Sequence, residues 1–519
     1  MSVATSISRV TGYLRVAILA YALGIQRLAD SYNLANTMPN MVYELLMGGI
    51  LSSLFVPVFV EHLVKGDRQE ASYVASAVAN LTLLILFVFA GVGIILSFPL
   101  VRTQTLLVPG GEASVKLASF FFKFFAPQIV FYGLGAIFTG ILHSHKRFAA
   151  PAFAPILNNL LVMATVLLFF LPNLRSNPDF ALVALALGTT LGVASMSLIQ
   201  VPSLLRVGLR YSLVLDLRHP SVRKLGSLAV PVLGYVVANQ IGLTVSNNLA
   251  YQFRGGITAY QYSWYLFQLP YGIFAVSITT ALFPGLSEHA AKKDFGGLRE
   301  SLSLGIRSIG FVIIPAAVAL VALSSPLVRL LYQHGRFDLQ ATRYTAPILT
   351  FFAVGLFSFS TYMFLTRAFY SLQDTKTPMK TNALGVPLNI AANLLLIQYL
   401  GVRGLALGHA LTYTFTAGIL LYLLRQRIGY LDGKRITYAV LRFLAASLVM
   451  VIPSFFVFSW LESRLDVSAI PGQVLQLLAT GVVALSLYLA ANYFMGSPEL
   501  RSLWRIARRA PLTAEKGSP

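Results

Sequence analysis

Two arginines and a run of amides hold most of the chemistry this sequence could perform. Arg9 and Arg15 lie six residues apart within an apolar stretch. On a helix they stand about 9 Å apart along the axis and about 120° apart around it, so both can flank one cavity wall. A guanidinium binds phosphate through parallel charge-assisted bonds, so the pair reads as a site for an anionic phosphate group. The alternative is that the long side chains snorkel to nearby headgroups. Asn33, Asn36, Asn40 and Glu44 follow at spacings of 3, 4 and 4, which makes one polar stripe on a helix. Pro39 sits beside them and frees a carbonyl that another group must satisfy. Such a stripe either lines a cavity or bonds to a neighbouring helix. The ionisable Glu44 favours the cavity. Asp30, just before the stripe, can cap the helix or pair with Arg27.

Related stripes occur further on. Asn239, Gln240, Thr244, Asn247 and Asn248 fall in one apolar stretch, and Gln261, Tyr265 and Gln268 precede Pro270 in the next. Lys123 is a further intramembrane cation, whereas Arg367, Lys376 and Lys380 read as interfacial anchors. Enzymatic motifs are missing: there is no phosphate-binding glycine loop, zinc motif or paired carboxylate site. The chain has no cysteine, and its seven histidines are scattered. His62 and His289 lie beside acids and read as structural loop elements. The expectation is therefore a protein that is not an enzyme and holds no metal or cofactor.

The elements that must position these residues are membrane helices. Of 519 residues, 56% are hydrophobic and only 11% charged, which excludes a disordered chain and argues against soluble domains. Apolar runs of about 20 residues match the thickness of a hydrocarbon core. They fall at 2–25, 31–60, 73–100, 115–142, 151–171, 179–205, 225–252, 257–286, 303–332, 344–371, 382–400, 402–424, 439–461 and 470–496, giving fourteen expected spans. The first run has arginines inside it and no small-residue cleavage site after it, so it reads as a span and not a cleaved signal peptide. With the N-terminus in the cytoplasm, 24 of the 39 Lys and Arg residues fall on the cytoplasmic side. The positive-inside rule thus favours two cytoplasmic termini. Much of the net charge of +21 reports this orientation and attraction to anionic lipid. Nucleic acid is the poorest reading of it.

An internal repeat organises the spans. Pro57, Glu61, His62, Lys65 and Asp67 recur as Pro284, Glu288, His289, Lys292 and Asp294, at an offset of 227. Phe124-Phe125-Ala126 recurs as Phe351-Phe352-Ala353 at the same offset, as do Thr139, Ser144 and Pro151 at Thr366, Ser371 and Pro378. The offset carries span 2 onto span 8, an even number of crossings, so the two copies share one orientation. The expected fold is an all-α integral membrane protein with two parallel-repeat six-helix lobes, 1–206 and 207–430. Two added helices at 431–498 and a basic cytoplasmic tail at 499–519 complete it. Parallel repeats of this kind are a transporter design with the substrate site between the lobes.

The whole chain resembles the MurJ/MviN family of lipid II flippases, in the multidrug/oligosaccharidyl-lipid/polysaccharide exporter superfamily. The resemblance rests on Ser8-Arg9-Val10-Thr11-Gly12-Tyr13-Leu14-Arg15, on Asp30 and Pro39-Asn40, and on Phe55-Val56-Pro57 and Gly335-Arg336-Phe337. Its longest match is Ala368-Phe369-Tyr370-Ser371-Leu372-Gln373-Asp374-Thr375-Lys376-Thr377-Pro378. It implies fourteen helices, with the added pair forming a groove for a lipid tail, and it makes Arg9, Arg15 and Asp30 cavity residues. This chain departs from many members. It carries Tyr43-Glu44 and Gly48-Gly49 where they have an arginine pair and then Glu-Gly. It has Trp264-Tyr265 where they have Asp-Arg, and Gln268 where they have Glu.

The implied activity is translocation of an undecaprenyl-linked anionic precursor from the inner to the outer leaflet of the bacterial cytoplasmic membrane. Arg9 and Arg15 would meet the pyrophosphate. Asp30, Asn33, Asn36, Asn40, Glu44, Asn247, Tyr265 and Gln268 complete the expected substrate site. With no nucleotide motif, the drive would be membrane potential, a Na⁺ or H⁺ gradient, or downstream consumption. Cell-wall synthesis or division proteins are expected partners. The competing readings are a drug/cation antiporter, another polysaccharide-lipid flippase of the same superfamily, and a membrane scaffold for cell-wall enzymes.

Overall fold

A computed structural model describes residues 2–45, 68–105, 112–145, 147–207, 211–216, 218–220, 223, 240–467 and 469–500. Among these there are helices and connecting turns but no strand. The chain forms two compact units. The first comprises residues 1–258 and 334–338, and the second 259–333 and 339–519.

The first unit contains α1 (Ser2–Leu23), α2 (Arg27–Leu45), α3 (Arg68–Ile95), α4 (Ser97–Thr103), α5 (Glu112–Phe125), α6 (Gln128–Ser144), α7 (Ala149–Thr165) and α8 (Pro178–Leu198). A π-helical turn at Val166–Phe170 extends α7. A further helical run covers 240–251. In the second unit the order is α9 (Gly256–Pro270, its first turn with the first unit), α10 (Val276–Ala291), α11 (Phe295–Ala322) and α12 (Ser324–Tyr332). Then come α13 (Leu339–Val354), α14 (Leu356–Ser371), α15 (Lys376–Leu400), α16 (Val402–Ile428), α17 (Gly433–Glu462) and α18 (Ile470–Phe494).

The duplication is visible in the helix bounds. α3 recurs as α11 and begins and ends 227 residues later, at Phe295 and Ala322. The extended α7, Ala149 to Asn173, recurs as α15, Lys376 to Leu400. The pair α5–α6, interrupted at Ala126-Pro127, recurs as α13–α14, interrupted at Gly355 and bent there by 47°. A helix break preserved in two copies is a property of the fold and not of one local sequence.

Ten helices among the described residues are long and apolar enough to cross a membrane, and the bent pair α13–α14 makes an eleventh. The expected number of fourteen is not reached by this criterion. The remaining three stretches hold the polar α1 and α2 and the run 240–251, and the neighbouring residues 46–67 and 224–239 lie outside the described set. Outward faces are apolar, as lipid requires: Phe87, Val88 and Phe89 on α3 and Ile452, Phe455 and Phe456 on α17 are all more than half exposed.

Cores sit between helices within each unit. Leu86 and Ala90 of α3 meet Ile129, Val130 and Ile137 of α6 in the first. In the second, Phe311 and Ile314 of α11 meet Phe443, Ala446 and Met450 of α17 and Tyr488 of α18. The added pair is thus part of the second unit's core. Close approach is set by small residues: a Cβ at Gly404 would lie 2.5 Å from the Leu396 carbonyl oxygen, so the turn from α15 into α16 requires glycine there.

Candidate functional site

α1 owes its place to α7. Asn159 of α7 donates to the Ser8 carbonyl at 3.3 Å and to the Thr11 hydroxyl at 3.1 Å. Val16, Leu19 and Ala20 bury the inner face of α1. Arg15 is half-buried, and its Nε is enclosed without a hydrogen-bond partner. A guanidinium N–H left in that state costs about 1–3 kcal/mol unless a ligand accepts it. Arg9 is exposed.

α2 begins with a latch. Asp30 is only 3% exposed. Its Oδ2 accepts the Gly255 N–H at 2.7 Å, and its Oδ1 accepts the N–H of Thr258 at 3.0 Å and its hydroxyl at 2.8 Å. These donors open α9, where a carboxylate stabilises the unpaired N–H groups and positive end of a helix. Asp30 therefore caps a helix 225 residues away in sequence, not its own helix and not Arg27. Gly255 has φ +76°, and a Cβ there would stand 2.2 Å from the Ile25 carbonyl oxygen, so glycine is obligatory at this corner.

The stripe after Asp30 divides. Asn33 donates to the Thr258 hydroxyl at 3.1 Å, and Asn40 accepts from the Tyr132 hydroxyl at 2.7 Å. Those two amides fasten helices together. The Asn36 Oδ1 is buried with no partner, so a ligand donor can reach it only by entering the helix packing. Glu44 lies in the last turn of α2, and its side chain is outside the described residues.

The run 240–251 is fastened to the end of α4. Asn247 donates to Gln104 at 3.5 Å, Gln104 donates to Thr244 at 3.0 Å, and Asn248 donates to the Thr103 carbonyl at 2.8 Å. Asn239 lies outside the described residues. Tyr265 and Gln268 are half-buried on α9, in the second unit. The expected substrate residues are thus distributed over both units: Arg9, Arg15, Asp30, Asn33, Asn36, Asn40, Glu44 and Asn247 in the first, the other two in the second. Lys123, Arg367, Lys376 and Lys380 are all exposed.

Sequence reading missed several polar groups. Asn80 of α3 donates to the Ser212 and Val214 carbonyls at 2.9 and 3.0 Å, and Tyr73 donates to Asp216 at 3.1 Å. Together they strap the extended segment 211–216 along α3. Glu499 is buried between Arg307 of α11 and Arg442 of α17, the latter contact at 2.6 Å. Burial pushes the Glu499 carboxyl up, but its own N–H, the Ser497 hydroxyl and the two guanidinium groups outweigh this and hold it below the usual carboxylate range. The spacing of 192 residues between Arg307 and Glu499 hid this cluster.

The motif at 373–378 is explained by Asp374. It accepts the Thr377 N–H at 3.0 Å and hydroxyl at 2.7 Å at the start of α15, and pairs with Arg427 at the end of α16. Burial pushes the Asp374 carboxyl up, but those three partners outweigh it and keep it low. His289 meets Asp294 at 2.8 Å, and Asp294 caps α11 through the Gly297 N–H, which fits the structural reading of that histidine. His62 lies outside the described residues. No group of three or more metal-ligating side chains occurs among the described residues.

Helix order, duplicated helix breaks and a first helix bearing a partnerless guanidinium define a two-repeat membrane transporter fold. Comparison with known proteins agrees. The fold matches a solved structure described as "Lipid II flippase MurJ, inward closed conformation" with TM-score 0.79 and 23% identity, covering 95% of this chain and 99% of that one. It also matches an inward-facing multidrug resistance MATE family transporter of the MOP superfamily with TM-score 0.70 and 16% identity, covering 82% and 96%. Residues 19–476 match the family described as "Lipid II flippase MurJ". The chain belongs to that family. A probable lipid II flippase MurJ of Vibrio cholerae is 30% identical over 459 residues, covering 87% of this chain and 86% of its own. The lipid II flippase MurJ of Burkholderia cenocepacia is 28% identical over 497 residues, covering 94% of each.

Proposed function

We propose that this protein carries lipid II, the lipid-linked peptidoglycan precursor, from the cytoplasmic to the outer leaflet of the bacterial inner membrane by alternating access. Family membership supports the substrate class. The observation that carries the reading on this chain's own residues is Arg15, a membrane cation whose Nε is buried without a partner. An anionic pyrophosphate is the ligand that such a group is suited to hold. Arg9, exposed on the same helix, adds a second positive charge along the path of entry. Asn36, Tyr265 and Gln268 are the uncharged groups left to meet sugar or peptide. Asn33, Asn40 and Asn247 act through helix packing, and Asp30 acts as a latch on α9.

The protein carries out transport without a chemical step on its cargo. The abundance of Lys and Arg in alternate loops supports two cytoplasmic termini and attraction to anionic lipids. Drive comes from the membrane potential or an ion gradient, and cell-wall synthesis or division proteins are the expected neighbours. Translocation of lipid II into the outer leaflet of proteoliposomes tests the reading. Undiminished transport by an Arg9→Ala, Arg15→Ala double variant removes the phosphate site. Rescue of flippase-depleted cells by that variant favours a scaffold.

A further inference from the structure

His409 of α16 is 9% exposed, and neither ring nitrogen has a hydrogen-bond partner. Buried imidazoles normally donate one N–H and accept at the other nitrogen, so a ring with neither needs a physical reason. Its surroundings are five aromatic rings. Trp264 and Phe267 of α9 approach with centroids at 5.0 and 5.6 Å. Phe352 of α13 stands at 5.4 Å, Phe359 of α14 at 5.6 Å, and Tyr413 of α16 at 4.5 Å. Ring faces carry negative quadrupole charge and attract a cation, but they cannot replace water around it.

The box is built across a hinge. Phe352 and Phe359 lie on opposite arms of the bent pair α13–α14. The break at Gly355 rests against α16 beside the histidine: a Cβ there would stand 2.6 Å from the Ala410 Cα. Tyr271, in the π-helical turn that follows Pro270, packs on Phe359 at 4.8 Å. A change in the bend at Gly355 must therefore move one wall of the box relative to the other.

The titratable group in ring contact with His409 is Tyr413. Tyr260 and Tyr271 lie one ring further out, on Phe352 and Phe359. From α15, Asn389 bonds Thr412 at 3.3 Å and the Asn393 Oδ1 faces Gly408. Charged side chains on these helices, Arg343, Arg367, Lys376, Lys380, Arg403, Arg425 and Arg427, fall toward the helix ends. A proton on His409 thus meets no carboxylate among these contacts, and with the box closed its charge lies desolvated.

We propose that His409 is a proton-binding site of the transport cycle, neutral while the aromatic box is closed and protonated when the hinge at Gly355 opens it to water. The proposal deepens the flippase reading and rests on it, because it supplies the coupling ion. Proton affinity and hinge position are then linked, and each must bias the other.

Trp264 is a built-in reporter, since an imidazolium quenches a neighbouring indole. With Trp460→Phe and Trp504→Phe in place, Trp264 is the remaining tryptophan. In lipid nanodiscs, its emission is expected to fall as pH is lowered from about 8 to about 5, the range over which an accessible histidine charges. His409→Phe and His409→Gln should each remove that titration. Phe359→Leu, which opens the box without touching the histidine, should move its midpoint toward neutral pH. In proteoliposomes, an inward proton gradient should raise lipid II transport about five-fold or more in the native chain and leave His409→Gln unresponsive. Emission that is independent of pH, or identical in the His409 variants, overturns the proton site even if lipid II is transported. Titration that depends on His409 in a chain that moves no lipid II overturns the flippase reading instead.

Discussion

Helices α2 and α9 are repeat-related, yet their equivalent positions carry different chemistry. Asn33, Asn36 and Asn40 of the first copy fall on Tyr260, Ser263 and Phe267 of the second, 227 residues later. In the first copy those amides hydrogen-bond to neighbouring helices, and Asn36 keeps a buried, partnerless oxygen. In the second, Tyr260 packs on Phe352, Phe267 packs on Phe352 and Phe359, and Ser263 donates to the Thr345 carbonyl. One backbone plan therefore serves polar attachment in one unit and aromatic packing in the other. The charged ligand of the first unit, Arg15, has no counterpart among the rings of the second. Duplication fixes where helices start, stop and break, and side chains then divide the labour.

The sharpest way to break this comparison is at Arg15. Losing a charge-assisted bidentate contact costs about 1.5–3 kcal/mol, so Arg15→Ala should lower lipid II transport roughly 10- to 100-fold, while Arg15→Lys keeps part of it. The same assay on Tyr265→Phe should show a much smaller loss, because the second unit offers no charge. Equal losses at both positions would erase the distinction.

Asp30 comes next. Asp30→Ala removes the acceptor for three buried donors, and loss of a helix cap alone costs about 0.5–2 kcal/mol. Thermal unfolding in detergent should therefore shift down clearly for Asp30→Ala and less for Asp30→Asn, which keeps one acceptor oxygen. At the equivalent position of the second copy, Ile257, no such latch exists, and Ile257→Val should be far milder.

Acid tests the second unit. Glu499 has its folded-state value depressed below the ordinary 4.5. Its ion pairs thus stabilise the protein above that ordinary value, and the contribution is lost as pH falls through the lower folded one. Thermal stability of the native chain should drop over that acidic window, and Glu499→Gln should be less stable at neutral pH with a shallower acid loss. An unchanged acid profile in Glu499→Gln would remove the clamp.

The smallest expected effect is Tyr132→Phe, which deletes the single bond to Asn40. It should cost about 1 kcal/mol and leave transport near the native level.

Much of this was legible in the sequence. Glu-His-x-x-Lys-x-Asp and the Phe-Phe-Ala blocks gave the offset that the helix bounds reproduce, because repeated helices need the same lengths and breaks. Arg9 and Arg15 stood out because charge is scarce in apolar runs. The role of Asp30 was not legible, since its partners Gly255 and Thr258 are backbone and hydroxyl donors with no sequence signature. The same holds for Glu499, whose guanidinium partners lie 57 and 192 residues away. His409 was passed over because a lone histidine in an apolar helix has no motif. Only the convergence of rings from three other helices makes it unusual.

The most direct test of the account is lipid II translocation measured in proteoliposomes for the native chain and Arg15→Ala side by side. The account predicts that the native chain delivers lipid II to the outer leaflet and that Arg15→Ala, folded and inserted to the same extent, is at least about ten-fold slower. A native chain that moves no lipid II, or an Arg15→Ala variant that keeps the native rate, would contradict it.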